Sequence, residues 1–588
     1  MNKMKKLIYV VFIITGIAAC EMIELPESKI SKEPIFNSEN GLKLYTNSFY
    51  EVFPYMPTLH TNSYYIAENS VIKYFTENGY SAEESSGWNW GTLRNINYFI
   101  ENNNSESVPL DVRNNYQGIA RFFRAYFYYG MMQRFGDLPW IDHPLDVADE
   151  LLYAGRDPRT MIAEKIKEDL DFAIANITVK KDNTCSTITS SVAAAFKARV
   201  CLWEGTFRKY QTSYGLQSSA NEWLQEAVTA AEYVMNSGYS IYTGDGPEHS
   251  YRKLFISAVP VSNEVLYAVT FDSEQGIVHA GNRRYTSVTF GSSPAPTRSF
   301  VNTYLTLDGT PFTDIAGYET KSFTEECQNR DYRLAQTIRT PGFTRISGGQ
   351  TVRTAPNYAY AITGYHLCKF TLDDVQYDNV DVCDNNAIVF RYAEVLLNYA
   401  EAKAELGTLT DADWSNTIGV LRARAGITGG LDTKPTVVDP YFQARFFPGI
   451  TNPEILEIRR ERAIELSFEG FSWPDICRWK VGELVTKVWD GIYIPELDVP
   501  YDMDSNGTDD VCFTKNLNPP VIPGVFNLYV GELLASGATN NVQLDEDTHS
   551  IVFMKDQIRT WHDKLYFYPI PANDLVKNPN LGQNPGWD

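Results

Sequence analysis

Hydrophobic residues recur at helical spacing in two parts of the chain, residues 110–240 and 385–485. Within residues 112–135, apolar and small side chains that include Tyr126 and Gly130 fall on one wide stripe. This pattern predicts a long helix with a buried stripe, and Gly136 predicts its end. The same spacing predicts further helices over residues 159–176, 190–208, 220–237, 388–406, 414–425, 453–469 and 473–484.

Small and large side chains alternate along the predicted helix 190–208. Ala194, Ala195 and Ala198 lie near the bulky Phe196 and Trp203, an arrangement that lets neighbouring helices pack closely. Tetratricopeptide repeats use the same device, but their period of about 34 residues is absent, since long insertions separate the helix pairs. We therefore predict about four degenerate tetratricopeptide-like helix pairs. A generic helical bundle is the alternative.

The remaining segments have a different composition. Residues 41–105, 241–380 and 486–560 are rich in Gly, Pro, Asn and Tyr and carry only short apolar runs, which is typical of loops and short strands. We predict a mainly α protein in which a helical scaffold is joined to this large, irregular, loop-rich half containing short strands. Residues 41–588 are expected to form a single body, with residues 561–588 as a tail that folds back on it.

The first residues have the pattern of an export signal. Three lysines lie within residues 1–6, an apolar run follows, and small residues precede Cys20. The run is shorter than the about 20 apolar residues of a membrane-spanning helix, so residues 1–19 are predicted to be a signal peptide that is removed. The position of Cys20 is similar to that in a bacterial lipobox, which predicts its acylation and a lipidated linker over residues 20–40. An ordinary secretory signal with an incidental cysteine is the alternative.

The charge of the chain limits its partners. Its 588 residues include 51 lysines and arginines and 73 aspartates and glutamates, a formal charge of −22. Removing residues 1–19 takes away three lysines and no acid, which leaves −25. Such a field repels nucleic acid, which is therefore not expected as a partner. Aromatic residues make up 13% of the chain and supply either core packing or flat faces for a ligand.

The cysteines that follow Cys20 show no CxxC pair and no regular spacing, so a disulfide framework is not expected. Cys201 and Cys477 lie in predicted helices and are expected to be small core residues. Cys368 and Cys383 would pair only if the fold brought them together, which the sequence leaves open.

Several short blocks occur in the order found in one protein family. They include ARFFRAY, FGDLP, FRYAEVLL and ERAIELSFEG, and they lie in residues 90–99, 118–139, 195–199, 329–331, 390–397, 461–470, 478–479, 569–571 and 583–586. Together they resemble the SusD/RagB family of outer-membrane nutrient-binding lipoproteins from the Bacteroidetes, over nearly the full chain. We expect most of these blocks to be scaffold. Ion-paired helix faces are the interpretation of the charged residues in these blocks, namely Arg121, Arg124, Arg391 and Arg462 near Glu394, Glu461 and Glu465.

The resemblance implies a binding protein without a reaction. It implies a lipoprotein, anchored at the cell surface in the outer membrane, that catches oligosaccharide or polysaccharide for a TonB-dependent, SusC-like transporter. The helical half would support the fold and much of the transporter contact, and loops of the other half would hold the ligand. One alternative keeps the fold and binds a peptide or a glycoprotein-derived nutrient. A surface glycoside hydrolase is the second alternative.

Motifs of known hydrolases give the enzyme alternative no support. The sequence has no HExxH among its seven histidines, no GxSxG, no P-loop and no clustered His/Cys set. The carboxyl pair of a glycosidase is defined by a distance in space, which one sequence does not reveal. We therefore expect a protein that is not an enzyme and that requires no cofactor.

Sugar sites need exposed aromatic rings beside polar side chains. The candidates are Tyr64, Tyr65, Trp88, Trp90, Arg94, Asn95, Arg284, Tyr285, Tyr358 and Tyr360. Trp88 follows a Ser- and Gly-rich segment and is the strongest candidate for a free ring, whereas Trp90 lies in a family-like block. Tyr358 and Tyr360 alternate, so that a strand would point both rings to one side. For each of these aromatic residues, packing in the core is the alternative.

An acidic segment has part of a calcium-loop pattern. Asp502, Asp504 and Asn506 occupy the first, third and fifth positions, and Gly507 follows where the sharp turn needs glycine. Phe513 stands where an EF-hand has its bidentate Glu, so this is not an EF-hand. We predict a loop that holds a structural calcium ion through Asp502, Asp504, Asn506, Thr508 and Asp510. An acidic Asx turn between strands is the alternative.

Overall fold

The structure is a computed structural model that describes residues 35–55, 63–287, 293–378 and 380–587. The predicted signal peptide and the predicted acylation of Cys20 lie outside these residues. Across the described ranges, none of the helices combines the length and the apolar character that a membrane crossing requires.

Helices make up 43% of the structure and strands 11%, which confirms the predicted mainly α class. In chain order the helices are α1 (Glu39–Asn47), α2 (Gly91–Asn102), α3 (Leu110–Phe135), α4 (Arg159–Asn176), α5 (Ser190–Tyr210), α6 (Ala220–Met235), α7 (Ser250–Ile256), α8 (Gly281–Thr286), α9 (Arg298–Val301), α10 (Phe323–Glu326), α11 (Arg333–Thr337), α12 (Tyr392–Glu405), α13 (Asp411–Trp414), α14 (Val420–Arg424), α15 (Pro440–Phe446), α16 (Pro453–Glu465), α17 (Ser472–Trp479) and α18 (Ala572–Lys577). Short 3₁₀ turns connect several of them.

Local sequence signals set the ends of the long helices. Helix α3 starts after Pro109 and stops at Gly136, whose φ of 77° is accessible to glycine at little cost. Helix α5 is capped by Thr189, whose hydroxyl accepts a hydrogen bond of 3.2 Å from the Val192 amide.

The long helices pack as neighbouring pairs. Helix α3 packs on α4 and α5 on α6, while α12 contacts both α6 and α16, and α17 packs on α5. Ala194, Ala195 and Ala198 are buried in these contacts, where their small size allows close approach. The helix pairing predicted from the sequence is therefore present.

The strands are short and form several small sheets. They are β1 (Ile66–Ala67), β2 (Val265–Val269), β3 (Ala295–Pro296), β4 (Thr344–Ser347), β5 (Gln350–Arg353), β6 (Ala387–Arg391), β7 (Trp489–Tyr493), β8 (Pro500–Tyr501), β9 (Val511–Thr514), β10 (Phe526–Tyr529), β11 (Val542–Leu544) and β12 (Ser550–Phe553). Pairs form between β1 and β3, β2 and β6, and β4 and β5, and three-stranded sheets have the orders β10-β9-β8 and β11-β12-β7. Only β9 and β10 run parallel among these described strands.

Tertiary contacts shorten or divide several predicted helices. The predicted helix 388–406 begins as β6, because residues 387–391 pair with β2, and only then continues as α12. A π-helical segment, Ser415–Gly419, separates α13 from α14. Helix α16 ends at Glu465, short of the predicted residue 469, since irregular turns follow. The spacing of hydrophobic residues in a segment does not reveal whether the segment pairs with a strand that is distant in the sequence.

The charged residues of the family-like blocks are ion-paired as predicted, but the pairs are buried and join different elements instead of lying along one helix face. Arg124 of α3 binds Asp169 of α4 through two bonds of 2.7 Å, and both side chains are almost inaccessible. Arg462 of α16 donates to Asp475 of α17 at 2.8 Å. Since each pair joins two different helices, the charges tie the scaffold together inside the protein.

The cysteines of the described residues are free thiols. Cys201 and Cys477 are buried in α5 and α17, as predicted. Cys368 and Cys383 are both free thiols.

Arg459 is an unusual buried charge. It is fully buried, and none of its side-chain nitrogens makes a hydrogen bond within the described residues. Its guanidinium lies among the rings of Tyr210, Phe447 and Trp479, with the Trp479 centroid at 4.4 Å. The nearest carboxylate oxygen, on Glu405, is 3.8 Å away.

We expect Arg459→Met to change the free energy of unfolding by no more than about 1 kcal/mol, because a flexible apolar side chain of similar length suits these rings. Glu405 keeps a bond of 2.7 Å from the Tyr210 hydroxyl. Arg424→Met is the matched comparison, since Arg424 is also fully buried but hydrogen-bonds to Glu264 and Glu465. Denaturant unfolding of both variants tests this, and equal losses would contradict it.

Candidate functional site

A cavity of about 680 Å³ lies between α3, α5, α17 and β6. Its floor is one face of α3, formed by Tyr126, Tyr129, Gly130, Gln133 and Arg134. Side chains three or four positions apart lie together on a helix, so these residues form a continuous surface. The volume falls within the roughly 300–1,000 Å³ of small-ligand sites.

Helix α5 forms the facing wall. Phe196, Arg199, Leu202 and Trp203 line the cavity, again at helical spacing. Both helices are held by the scaffold core, which includes Phe196, Leu202 and Trp203. Rigid helices therefore position both walls.

An irregular turn between α16 and α17 closes a third side. Phe468 and Gly470 have φ of 65° and 90°, left-handed values that redirect the chain and that phenylalanine adopts only at a cost. The buried Tyr65 hydroxyl accepts a hydrogen bond of 3.2 Å from the Phe468 amide and so supports this turn. The turn brings Phe471 and Trp473 to the cavity.

Gly130 lies in the middle of α3 and is exposed, which corrects the prediction that it belongs to a buried stripe. A Cβ at this position would meet no atom within 4 Å. Glycine inside a helix costs about 1 kcal/mol relative to alanine, and no neighbouring atom here requires its small size. Its effect is to widen the floor of the cavity.

The arginines that line the cavity differ in their partners. Arg199 binds Glu394 through bonds of 2.6 and 2.7 Å. Arg462 binds Asp475, and Arg478 binds Glu401.

Arg134 has no carboxylate within ion-pair distance in the described part of the chain. Its Cζ lies 4.1 Å from the centroid of the Tyr568 ring, a cation–π contact.

The cavity combines aromatic rings with polar donors, which is the chemistry that binds sugars. Its two carboxylates, Glu469 and Asp475, are both ion-paired. Burial alone would raise the pKa of Glu469, but the charges of Arg391 and Lys369 lower it below its usual value. A glycosidase needs a carboxylic acid with a raised pKa, and Glu469 lacks that property.

Five of the predicted ligand-binding residues are buried rather than exposed. They are Tyr64, Tyr65, Tyr285, Tyr358 and Tyr360, each at most 5% exposed. Tyr358 and Tyr360 lie in a turn instead of a strand, and Tyr360 packs edge-on against His366 at 4.8 Å. The expectation that these rings are free to stack on a ligand is therefore wrong, because they fill the interior of the loop-rich half.

Trp88 and Trp90 are half-buried. Their ring centroids lie 5.3 Å apart, and Trp88 also packs against Phe135 at the end of α3. Trp90 contacts Phe127. Part of each ring is accessible, and a ligand-binding role for the two stays a prediction.

Arg94 and Asn95 are exposed but already have partners. Arg94 donates to the Leu145 carbonyl, and the Asn95 carbonyl oxygen accepts a bond of 2.7 Å from the Tyr45 hydroxyl. Both contacts join α2 to neighbouring segments. Their ligand-binding role also stays a prediction.

Arg284 lies half-buried in the loop-rich half, and its Nε makes no hydrogen bond in the described residues. Its charge acts on Glu68, whose pKa burial raises to about 7 against the opposing effect of Arg284. Glu68 is not among the residues predicted from the sequence to bind a ligand, because it belongs to no recognisable motif. A ligand-binding role for Arg284 stays a prediction.

The acidic loop brings three of its five predicted ligands together. Oxygens of Asp502, Asp504 and Asp510 lie within 4.8 Å of one another. The side-chain oxygen Oδ1 of Asn506 instead accepts hydrogen bonds from the backbone amide and the hydroxyl of Thr508. Burial raises the pKa of Asp504 and of Asp510. Calcium binding at this loop stays a prediction.

One feature of the sequence of α3 could have indicated the cavity, although the apolar spacing of this helix does not. Gln133 and Arg134 are polar, and Gly130 lacks a side chain, on a helix face that borders the apolar stripe. A face that combines an interior glycine with polar residues is unusual for a core helix.

Two family profiles match the chain. Residues 263–587 match the SusD family, and residues 39–204 match a family described as starch-binding and associating with the outer membrane. Together the matches cover parts of both the helical and the loop-rich segments.

Two curated relatives come from Formosa agariphila. SusD-like protein P2 is 25% identical over 372 residues, 62% of this chain and 65% of that protein, so the chain spans just under two thirds of this relative. SusD-like protein P38 is 24% identical over 499 residues, 77% of this chain and 86% of that protein.

Solved structures share the fold. A SusD-like protein from Bacteroides fragilis superposes with a TM-score of 0.67 at 20% identity, covering 96% of this chain and all of that one. A SusD-like carbohydrate binding protein from the same organism gives a TM-score of 0.66 at 19% identity over 94% of this chain and all of that one.

Proposed function

Because this chain belongs to the SusD family, we propose that it is a cell-surface glycan-binding lipoprotein that captures oligosaccharide and passes it to a TonB-dependent, SusC-like outer-membrane transporter. Acylation of Cys20 would hold it at the membrane, since lipid chains contribute about 0.8 kcal/mol per buried CH₂. The description of the family that matches residues 39–204 supports the glycan and the outer membrane.

The observation that carries the proposal is the cavity beside Gly130. Aromatic rings from α3, α5 and the turn before α17 surround a space of about 680 Å³, and an exposed glycine keeps its floor open. A sugar ring has apolar C–H faces for such rings and hydroxyls for the polar side chains. We propose binding without cleavage, because both lining carboxylates are held in ion pairs. The proposal requires no cofactor.

Filling the cavity at Gly130 tests the proposal. We expect Gly130→Leu to abolish glycan binding, because its side chain would occupy the open floor, while Gly130→Ala should keep binding and stabilise α3 by up to about 1 kcal/mol. The measurement is a glycan-array screen of residues 21–588 for wild type and both variants, with product analysis of every glycan retained. Thermal melts of the variants check folding.

Unchanged binding by Gly130→Leu would place the site elsewhere. Binding of peptides but of no glycan would overturn the proposed cargo, and release of shortened products would overturn binding without cleavage.

A further inference from the structure

Two residues of the cavity floor carry buried hydrogen-bond donors that have no acceptor. Gln133 Nε2 and Arg134 Nε are shielded from solvent and make no hydrogen bond in the described residues. Both residues line the cavity floor. Buried donors are normally paired, so two unpaired donors on residues that line a cavity call for an explanation.

Arg134 is held in a fixed position. Its Cζ lies 4.1 Å from the centroid of the Tyr568 ring and 5.4 Å from that of Phe135. The Tyr568 amide donates a bond of 2.8 Å to the Arg134 carbonyl, which fixes the two residues to each other. Gly87 lies beside the Arg134 Nε, since a Cβ added to this glycine would be 3.4 Å from that atom. A guanidinium stacked in this way is preorganised for a planar, bidentate partner.

Arg134 differs in charge balance from the other arginines of the cavity. Arg199, Arg462 and Arg478 are each neutralised by a carboxylate of this chain. Arg134 is half-buried without one. In a chain of charge −22, carboxylates are abundant, yet none lies within ion-pair distance of Arg134 among the described residues.

A neutral sugar does not require such a group, because amide and hydroxyl side chains suffice for its hydroxyls. A carboxylate on the ligand does call for an arginine, since a charge-assisted hydrogen bond is roughly twice as strong as a neutral one and the guanidinium binds both carboxylate oxygens. Gln133, the residue before Arg134, lines the same floor, and its side-chain amide is of the type that hydrogen-bonds to sugar oxygens.

We propose that the cavity selects a carboxylate-bearing sugar, such as a uronic acid, within the captured glycan. Arg134 binds the carboxylate and Gln133 an adjacent oxygen. This inference rests on the proposed function and names the class of its cargo.

The test compares acidic glycans with neutral counterparts. Residues 21–588 are screened against oligogalacturonate, alginate oligosaccharide, chondroitin and sialyllactose, beside methyl-esterified oligogalacturonate and lactose. Calorimetric titration then measures each glycan that binds. We expect the acidic form to bind at least about tenfold more tightly, and Arg134→Gln to remove at least about tenfold of its affinity. Added salt should weaken acidic binding selectively.

Lys43→Gln is the control, because it removes one positive charge from the exposed surface of α1. It is expected to leave affinity unchanged. Arg134→Lys should recover only part of the affinity, since lysine lacks the planar fork. Melting of each variant verifies its fold.

The outcomes separate the inference from the proposed function. Neutral glycans that bind in a Gly130-dependent manner, without preference for the acid, would overturn the inference and support glycan capture. Acidic glycans that bind equally well to Arg134→Gln would also overturn it. Retention of no glycan would overturn both.

Discussion

Replacing Glu465 by glutamine is expected to lower the free energy of unfolding by about 3–5 kcal/mol, because it removes one negative charge from a buried cluster in which three arginines share that carboxylate. Glu465 is fully buried at the end of α16. Its carboxylate accepts hydrogen bonds from Arg333 at 2.8 Å, from Arg391 at 2.6 Å and from Arg424.

The cost is large because each arginine comes from a different element. Arg333 lies in α11, Arg391 in β6 and Arg424 in α14, so Glu465 joins three segments at one point. Burial alone would raise the pKa of Glu465, but the three guanidinium charges hold it well below its usual range. The carboxylate is therefore ionised in the folded protein, and an amide does not replace its charge.

Equilibrium unfolding in denaturant at neutral pH measures this effect. Glu101→Gln is the matched control, since Glu101 is exposed on α2 and such surface changes stay within about 0.5 kcal/mol. A loss from Glu465→Gln as small as that of the control would show that the arginines are satisfied without it.

The sequence predicts the helical scaffold well because its signals are local. Pro109 and Gly136 mark the ends of α3, and the apolar spacing between them marks its buried side. Family-like blocks give the order of the remaining elements. The β2 to β6 pairing was not predictable, since its strands are separated by more than a hundred residues.

Burial of aromatic residues is a different problem. Tyr65 and Tyr358 lie in segments with the composition of loops, and only the fold reveals that their rings point inward. Tyrosine suits both a core and a ligand surface, so its presence in a sequence does not distinguish the two. Tyr65 instead supports the turn at Phe468 through its hydroxyl.

The cavity shows why a site built from distant segments is not predicted from the sequence alone. Its walls come from α3, α5, the turn before α17 and Tyr568, segments that meet only after folding. Gly130 appears as one more small residue of a buried stripe until the neighbouring helix faces are known. The unpaired state of Arg134 is likewise a property of space, since many carboxylates lie elsewhere in the chain.

Glu401 is expected to make the protein sensitive to acid. Its carboxylate accepts hydrogen bonds from Arg478 and a bond of 2.8 Å from the Trp479 indole. Burial alone would raise the pKa of Glu401, but the charge and hydrogen bonds of Arg478 lower it from 4.5 to about 2. The folded state therefore favours the ionised form more than the unfolded state does.

The sign of the pH dependence follows from this lowered pKa. The stabilisation is complete above the unfolded pKa of 4.5 and is lost as pH falls towards about 2. At pH 7, Glu401→Gln should cost about 3 kcal/mol of unfolding free energy, and at pH 3 about 1 kcal/mol. Denaturant unfolding of wild type and variant at several pH values measures this difference, and a difference that is independent of pH would contradict the assignment.

Glu326 provides a control of opposite sign. Burial raises the pKa of its carboxyl despite the nearby Arg298, so the folded state favours the protonated form. Acid should therefore stabilise wild type relative to Glu326→Gln as pH falls through this raised pKa. For each variant, the difference in unfolding free energy from wild type is plotted against pH. A general effect of acid on the fold would change both differences in the same direction. Opposite slopes for Glu401→Gln and Glu326→Gln would therefore assign the effects to the two carboxyl groups.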